Sequence, residues 1–299
     1  DYQQERHATS TLEQVIMRKV IQAGVGQAPA RQAAIFADLD KKTTCTTVNK
    51  VCGSGMQSVI LGAKSILTGD AKTVIAGGME NMSMAPHLVP GSRNGFKFGQ
   101  TTLKDSMQWD GLWDVYSDRP MGNCAEECTK KYDLTREAQD AFSITSFKRA
   151  QKAQADGIFD KEIAAVTIKG RKGDVVVAED EGPSKVKFEK IPTLRPAFDK
   201  DGTITAANAS TINDGACALV LGGEEFKDQA KFKILGWAGH AQEPTWFTTA
   251  PVQAVKKNLS KLNLEVSDID FWEINEAFAA VTMVAMNELQ LDHEKVNVH

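Results

Sequence analysis

No stretch of this 299-residue chain is apolar for long enough to cross a bilayer; the longest apolar runs, such as Ala216–Gly222, have the length of a core strand. Basic charge is not in excess either: 35 Lys and Arg face 39 Asp and Glu, for a net charge of −4. That balance gives no electrostatic footprint for nucleic acid or an anionic membrane. The opening Asp1–Ser10 (DYQQERHATS) is polar and mixed in charge, unlike a secretory signal. Neither a G-x-G-x-x-G nor a Walker pattern occurs, so dinucleotide and phosphate-loop readings have no support. Cysteine is sparse: the five residues Cys45, Cys52, Cys124, Cys128 and Cys217 are odd in number and show no disulfide framework. A reducing compartment is expected. Cys124 and Cys128 stand one helical turn apart, but no nearby His or second Cys pair completes a zinc site, and both read as small buried hydrophobes. No metal site is expected.

What is present is an ordinary globular composition, with 42% apolar residues and 23 glycines. The first part alternates strand and helix. A helix is expected at Ala30–Ala37, a β-branched strand at Thr43–Val51, a helix on Met56, Val59, Ile60, Ala63, Ile66 and Leu67, and a short buried strand at Thr73–Ala76. Such alternation is the signature of a layered α/β fold. Between Met84 and Lys200 charges are denser and periodicity is patchy, so the region reads as an insertion over the layered core. Its clearest element is a helix at Arg136–Asp156, with Thr135 as N-cap and Gly157 as stop; Gly170–Lys190 reads as a charged hairpin or surface loop. The α/β pattern then returns with expected strands at Ala216–Leu221, Phe232–Trp237 and Ile269–Ile274 and helices at Pro251–Leu262 and Ala277–Leu289. The terminal Val296–His299 reads as a strand.

Cys52 lies in Asn49–Met56 (NKVCGSGM), between a strand and a glycine-rich helix start. A thiol there sits near the free N–H groups and positive end of a helix, a setting that favours the thiolate. Gly53 and Gly55 let a substrate approach the backbone, and the N–H groups are available to an oxyanion. The competing reading is a buried core cysteine on a tight turn. Asn275, at the end of an expected strand, can position a water or donate to an oxyanion, or cap the next helix. Thr203–Gly215 (TITAANASTINDG) is rich in small residues and hydroxyls and reads either as the lining of a narrow tunnel or as a tight loop. No histidine is placed as a base: His87, His240 and His293 all lie in or near turns.

Taken in order, Asn49–Met56, Ala76–Met84 (AGGMENMSM), Arg195–Asp199 (RPAFD), Thr203–Gly215 and Glu273–Phe278 (EINEAF) resemble the motifs of the thiolase family, over nearly the whole chain. Within it the sequence is most similar to short-chain acetyl-CoA acetyltransferases, mitochondrial and bacterial. The resemblance implies a layered α-β-α-β-α fold of two related halves with an inserted cap. The expected division is 1–83, completed by about 208–229, then a cap at 84–207 and a second half at 230–299. It implies that Cys52 takes the acetyl group from acetyl-CoA as a thioester. A second acetyl-CoA, deprotonated at its methyl carbon, then condenses with it to acetoacetyl-CoA; thiolysis is the reverse. Asn275 positions a water in one oxyanion hole, and the N–H of Cys52 serves the other. Ser210 and the backbone of Ala206, Ala207 and Ala209 lie along the pantetheine arm, while Met121, Phe198 and Phe278 shape the pocket. No tightly bound cofactor is implied beyond the coenzyme A thioester substrate, and the partner is a second copy in a homodimer or homotetramer. The mitochondrial matrix is favoured over the cytoplasm.

Departures from the family pattern sharpen these expectations. The family's Gly-His-Pro histidine and Cys-x-Gly-Gly-Gly cysteine do not occur between Asp1 and His299, and its first βα unit is missing, so both ends read as truncated. His299 is not that base, and the 299 residues alone are expected not to condense acetyl-CoA. Ile16–Lys19 (IMRK) stands where Gly-Asn is usual, and Pro120-Met121-Gly122 where many relatives have His before Met-Gly. Phe147 replaces the tyrosine of potassium-activated members, which argues against potassium activation. Alternatives are a non-catalytic thiolase-like subunit, a 3-ketoacyl-CoA thiolase for longer chains, a plain coenzyme A-binding domain and a cysteine hydrolase.

Overall fold

The computed structural model describes residues 12–299, and the Asp1–Ser10 segment discussed above lies outside the described residues. The chain packs as two units, one running to Trp113 and joined by Ile212–Trp237, the other formed by Asp114–Thr211 and Ala238–His299.

The first unit is built on a sheet of β1 (Gln14–Arg18), β2 (Thr44–Val48), β3 (Thr73–Asn81) and β4 (Asp214–Gly222), in the spatial order β4-β3-β1-β2. β1 runs parallel to β2 and β3, and β4 runs antiparallel to β3. Because side chains alternate along β1, Val15 and Met17 pack on one face with Ala30 and Ala34 of α1 (Pro29–Phe36). Ile16 packs on the other with Val74, Leu61 and Ile66. Leu61 and Ile66 belong to α2 (Ser54–Leu67). That helix lies close against the sheet because its buried face is small: Ser54, Ser58, Gly62 and Ala63. A Cβ on Gly62 would come within 2.8 Å of Leu221 and 3.0 Å of Val74.

The second unit is helical. Helices α3 (Met121–Lys131), α4 (Arg136–Ala155), α5 (Ala250–Leu262) and α6 (Ala279–Leu289) contribute to it. Its core joins Ala125 and Cys128 of α3, Ile204, Val252 of α5, and Phe278, Val281, Val284 and Leu289 in and before α6. Thr135 caps α4 by accepting from the Ala138 N–H, and Gly157, at φ +67°, follows its end as expected. Residues 170–190 do lie at the surface: an exposed ribbon pairs Val166–Ile168 with Val175–Val177, followed by short helical turns.

Five strand expectations need correction. The strand expected at Thr43–Val51 stops at Val48, and Val51 adopts φ +49°, which no strand residue can keep. Ala216–Leu221 is within a strand, but that strand lies at the sheet edge, and Val220 is 71% exposed rather than buried. Phe232–Trp237 is not a strand; with no ladder to join, the run stays irregular and Phe232 is 90% exposed. Ile269–Ile274 and the terminal Val296–His299 share only one bridge, Trp272 with Val296, because Asn297 turns into the left-handed region at φ +48°.

Candidate active site

In the first unit, Cys52 follows β2 and precedes α2, whose N-cap is Gly53. The connection is tightly wired. Val51 N–H donates to Asn49 Oδ1 at 2.9 Å, Lys50 N–H to Ser54 Oγ at 2.6 Å, and Ser54 Oγ to the Val51 carbonyl at 2.5 Å. Ser54 is wholly buried, so the two bonds it makes are partly shielded from water, while the Val51–Asn49 bond lies at the surface. They brace the left-handed Val51, and the braced turn holds Cys52 outward: it is exposed, reduced, and its thiol has no hydrogen-bond partner among the described residues. The buried-core reading of Cys52 is therefore wrong. A Cβ on Gly55 would meet nothing within 4 Å, so the helix start is open to an approaching molecule. The other cysteine pair behaves differently. Cys124 and Cys128 are fully buried, and burial pushes both thiols up, away from a reactive thiolate.

The second unit assembles the remaining candidates. Phe278 is buried before α6, with the Phe198 ring edge-on at 6.1 Å and Phe247 at 6.3 Å. Met121 opens α3 half-buried, and its neighbour Gly122 admits Phe198, since a Cβ there would lie 2.2 Å from that ring. Asn123 Nδ2 donates to the Phe198 carbonyl at 2.9 Å. Ala209 bridges to Phe278, and the Ser210 N–H donates to the Ala277 carbonyl at 3.0 Å. Ala206 and Ser210 are exposed, and Ala207 and Ala209 are half-buried. Asn275 is also exposed, and its amide has no hydrogen-bond partner among the described residues. It caps nothing: Phe278 is the N-cap of α6.

Three polar residues support the Thr203–Ser210 and Asn275 segments, and to two of them, Glu126 and Asn208, the sequence alone assigns no role. Glu126, only 2% exposed, accepts from the N–H groups of Thr203 at 2.9 Å and Ile204 at 2.7 Å. Asn208 accepts from the Thr205 N–H at 2.8 Å, and its carbonyl takes the Ala279 N–H at 2.9 Å, satisfying a donor at the start of α6. Glu276 is the third, held by Ser146 and Asn297 at 2.7 Å each. Glu126 shares a buried helical face with Gly122, Ala125 and Thr129, a period visible in the sequence. Asn208 also has a distant partner, Asp140 at 3.3 Å, and Glu276 is held by Ser146 and Asn297, each more than 20 residues away, pairings that no local pattern reveals. Among the described residues no group of three or more His, Cys, Asp or Glu could hold a metal ion. No helix is long and apolar enough to cross a membrane.

Cys52 is thus a free thiol displayed at a helix start on the sheet of an α/β protein, a setting that suits covalent chemistry at a thiol. The family follows from comparison. Residues 3–225 match the thiolase N-terminal domain and residues 228–299 the thiolase C-terminal domain, so the chain belongs to the thiolase family. It is 46% identical over 295 residues to a probable acetyl-CoA acetyltransferase of Dictyostelium discoideum, covering 97% of this chain and 71% of the relative. It is 46% identical over 303 residues to an acetyl-CoA acetyltransferase of Saccharomyces cerevisiae, covering 99% and 76%. A crystal structure of Acat5 thiolase from Ascaris suum in complex with coenzyme A is similar at a TM-score of 0.91 and 44% identity, over 97% of this chain and 75% of that one. The fold is the thiolase fold.

Proposed function

We propose that this protein is an acetyl-CoA acetyltransferase that forms acetoacetyl-CoA and coenzyme A from two acetyl-CoA, or runs the reverse thiolysis. The exposed, unpartnered thiol of Cys52 at the start of α2 carries the proposal. The Cys52 thiolate attacks the thioester carbonyl carbon, the carbon–sulfur bond to coenzyme A breaks, and coenzyme A leaves as the thiol after taking a proton. In the condensation step a second acetyl-CoA gives a methyl proton to a base, its carbanion attacks acetyl-Cys52, the new carbon–carbon bond forms, and the cysteine sulfur departs as the thiolate. The base is the role of the family's Gly-His-Pro histidine, which does not occur between Asp1 and His299, so within these residues only the acetyl transfer to Cys52 is proposed. Asn275 holds a water against a developing oxyanion, consistent with its exposed and uncommitted amide, and the Cys52 N–H serves the other oxyanion. The pantetheine arm lies along Ala206, Ala207, Ala209 and Ser210, with Met121, Phe198 and Phe278 shaping the acyl pocket.

Relatives named acetyl-CoA acetyltransferase favour this reading over a non-catalytic subunit or a longer-chain 3-ketoacyl-CoA thiolase. The Ascaris suum thiolase bound to coenzyme A supports coenzyme A thioesters as the substrate. We further assign the two thiolase halves to 1–83 with 208–229 and to 230–299, with the cap at 84–207. Assembly as a homodimer or homotetramer belongs to the same reading, as do a place in lipid and ketone-body metabolism and turnover without potassium, since Phe147 lacks a hydroxyl. A mitochondrial location draws support from a relative of Gibberella zeae named as mitochondrial. Mass spectrometry after exposure to acetyl-CoA tests the first half-reaction. An acetyl adduct is expected on Cys52 and is lost in Cys52→Ser; an unmodified Cys52 in folded wild-type protein would overturn the proposal.

A further inference from the structure

The loop that carries Asn275 is fixed by a residue 22 positions further on. The Asn297 amide meets the backbone of Ile274 as a strand neighbour would: Ile274 N–H donates to Asn297 Oδ1 at 2.8 Å, and Asn297 Nδ2 donates to the Ile274 carbonyl at 2.8 Å. The second Nδ2 hydrogen goes to Glu276 Oε1 at 2.7 Å. Both donors are thus committed. The amide orientation is also dictated, because the flipped group would set its oxygen against a carbonyl and a carboxylate. On the far side, Ser146 Oγ of α4 donates to Glu276 Oε2 at 2.7 Å, and Ser210 Oγ donates to the Glu276 carbonyl at 2.7 Å. Asn297 is itself anchored. Its N–H donates to the Trp272 carbonyl at 2.8 Å, and Arg149 Nη1 donates to the carbonyls of Val296 at 2.8 Å and Asn297 at 3.4 Å. Its φ of +48° is a conformation that asparagine adopts more readily than most residues.

One side chain therefore grips the residues on both sides of Asn275, while Asn275 itself stays exposed and uncommitted. We infer that Asn297, with Glu276 and Ser146, is a positioning residue that sets the direction of the Asn275 amide toward the oxyanion of the condensation and thiolysis steps. This rests on the role proposed above for Asn275. No atom of Asn297 needs to touch the substrate. Its contribution is to hold a donor within the narrow geometric window that oxyanion stabilisation demands.

The test measures acetoacetyl-CoA thiolysis by the full-length protein. Asn297→Asp keeps an acceptor for the Ile274 N–H but removes both donors and sets a second carboxylate against Glu276. The expected result is a fall in kcat of about 10- to 100-fold with KM little changed, the signature of an interaction lost from the transition state. Combined with Asn275→Ala, it is expected to cost nothing beyond Asn275→Ala alone, because both remove the same interaction. Ser146→Ala, which leaves the Asn297 amide in place, is expected to give a smaller loss of kcat, again absent on the Asn275→Ala background; it carries the test even if Asn297→Asp fails to fold. Additive losses, or a raised KM at unchanged kcat, would overturn the positioning role alone. A wild-type kcat in Asn275→Ala would overturn the role of Asn275, and the positioning role with it.

Discussion

At the scale of single residues, small size decides more than chemistry does. Gly122 needs no unusual backbone angle; it is required because Phe198 occupies the space a Cβ would take, 2.2 Å away. Gly122→Ala must push that ring off Phe278, with which it packs edge-on. The expected cost is about 1–3 kcal/mol, as for other overpacked cores. Urea unfolding should show a lower midpoint at unchanged slope, and an unaltered midpoint would contradict the packing described. Cysteine chemistry is likewise set by place. Cys124 and Cys128 are fully buried, with thiols pushed up by desolvation, whereas Cys52 is offered to solvent by the wired turn at Val51. The sequence pointed to Cys52 through its glycines, but nothing local distinguished an exposed thiol from a buried one.

At the scale of elements, legibility followed the range of the forces involved. Helix α4 was readable in full, because its start, its stop and its length rest on neighbours in the chain. Thr135 Oγ1 accepts from the Ala138 N–H at 3.2 Å, and Thr135→Ala is expected to lower stability by about 1 kcal/mol. Thr135→Asp should restore it, and equal unfolding midpoints for all three proteins would remove the cap from the account. Strands were less legible. Phe232–Trp237 and Ile269–Ile274 carry the apolar, β-branched character of strands, but a strand exists only where a ladder partner meets it. In the second case a side-chain amide, that of Asn297, takes the partner's place at Ile274.

At the scale of the whole molecule, stability should depend on pH through His293. Its ring stacks on Phe142 at 5.2 Å, and burial, with Arg149 nearby, holds its pKa below the ordinary imidazole value, against the opposing pull of Glu294, Glu276 and Asp292. The unfolded chain then binds this proton more readily than the folded one. The stabilisation is fully present above the unfolded pKa of about 6.5 and is lost as pH falls through it toward the lower folded value. Melting temperatures measured downward through that window should fall, and His293→Phe, which retains a stacking ring, should flatten the decline. Identical slopes in both proteins would show that His293 does not contribute.

What the sequence determined by itself was local or patterned: the α/β class, the bounds of the long helices, the motif around Cys52 and the ordered series of motifs that resembles thiolases. These follow from the chain's own periodicity, caps and turns, which need no distant partner. Only the tertiary structure decided that β4 is an exposed edge, that Glu126 holds the backbone at Thr203 and Ile204, and that Asn297 grips the Asn275 loop. Each depends on groups far apart in sequence whose polar atoms must be paired once water is excluded. That pairing is a property of the folded chain, and no run of neighbouring residues specifies it.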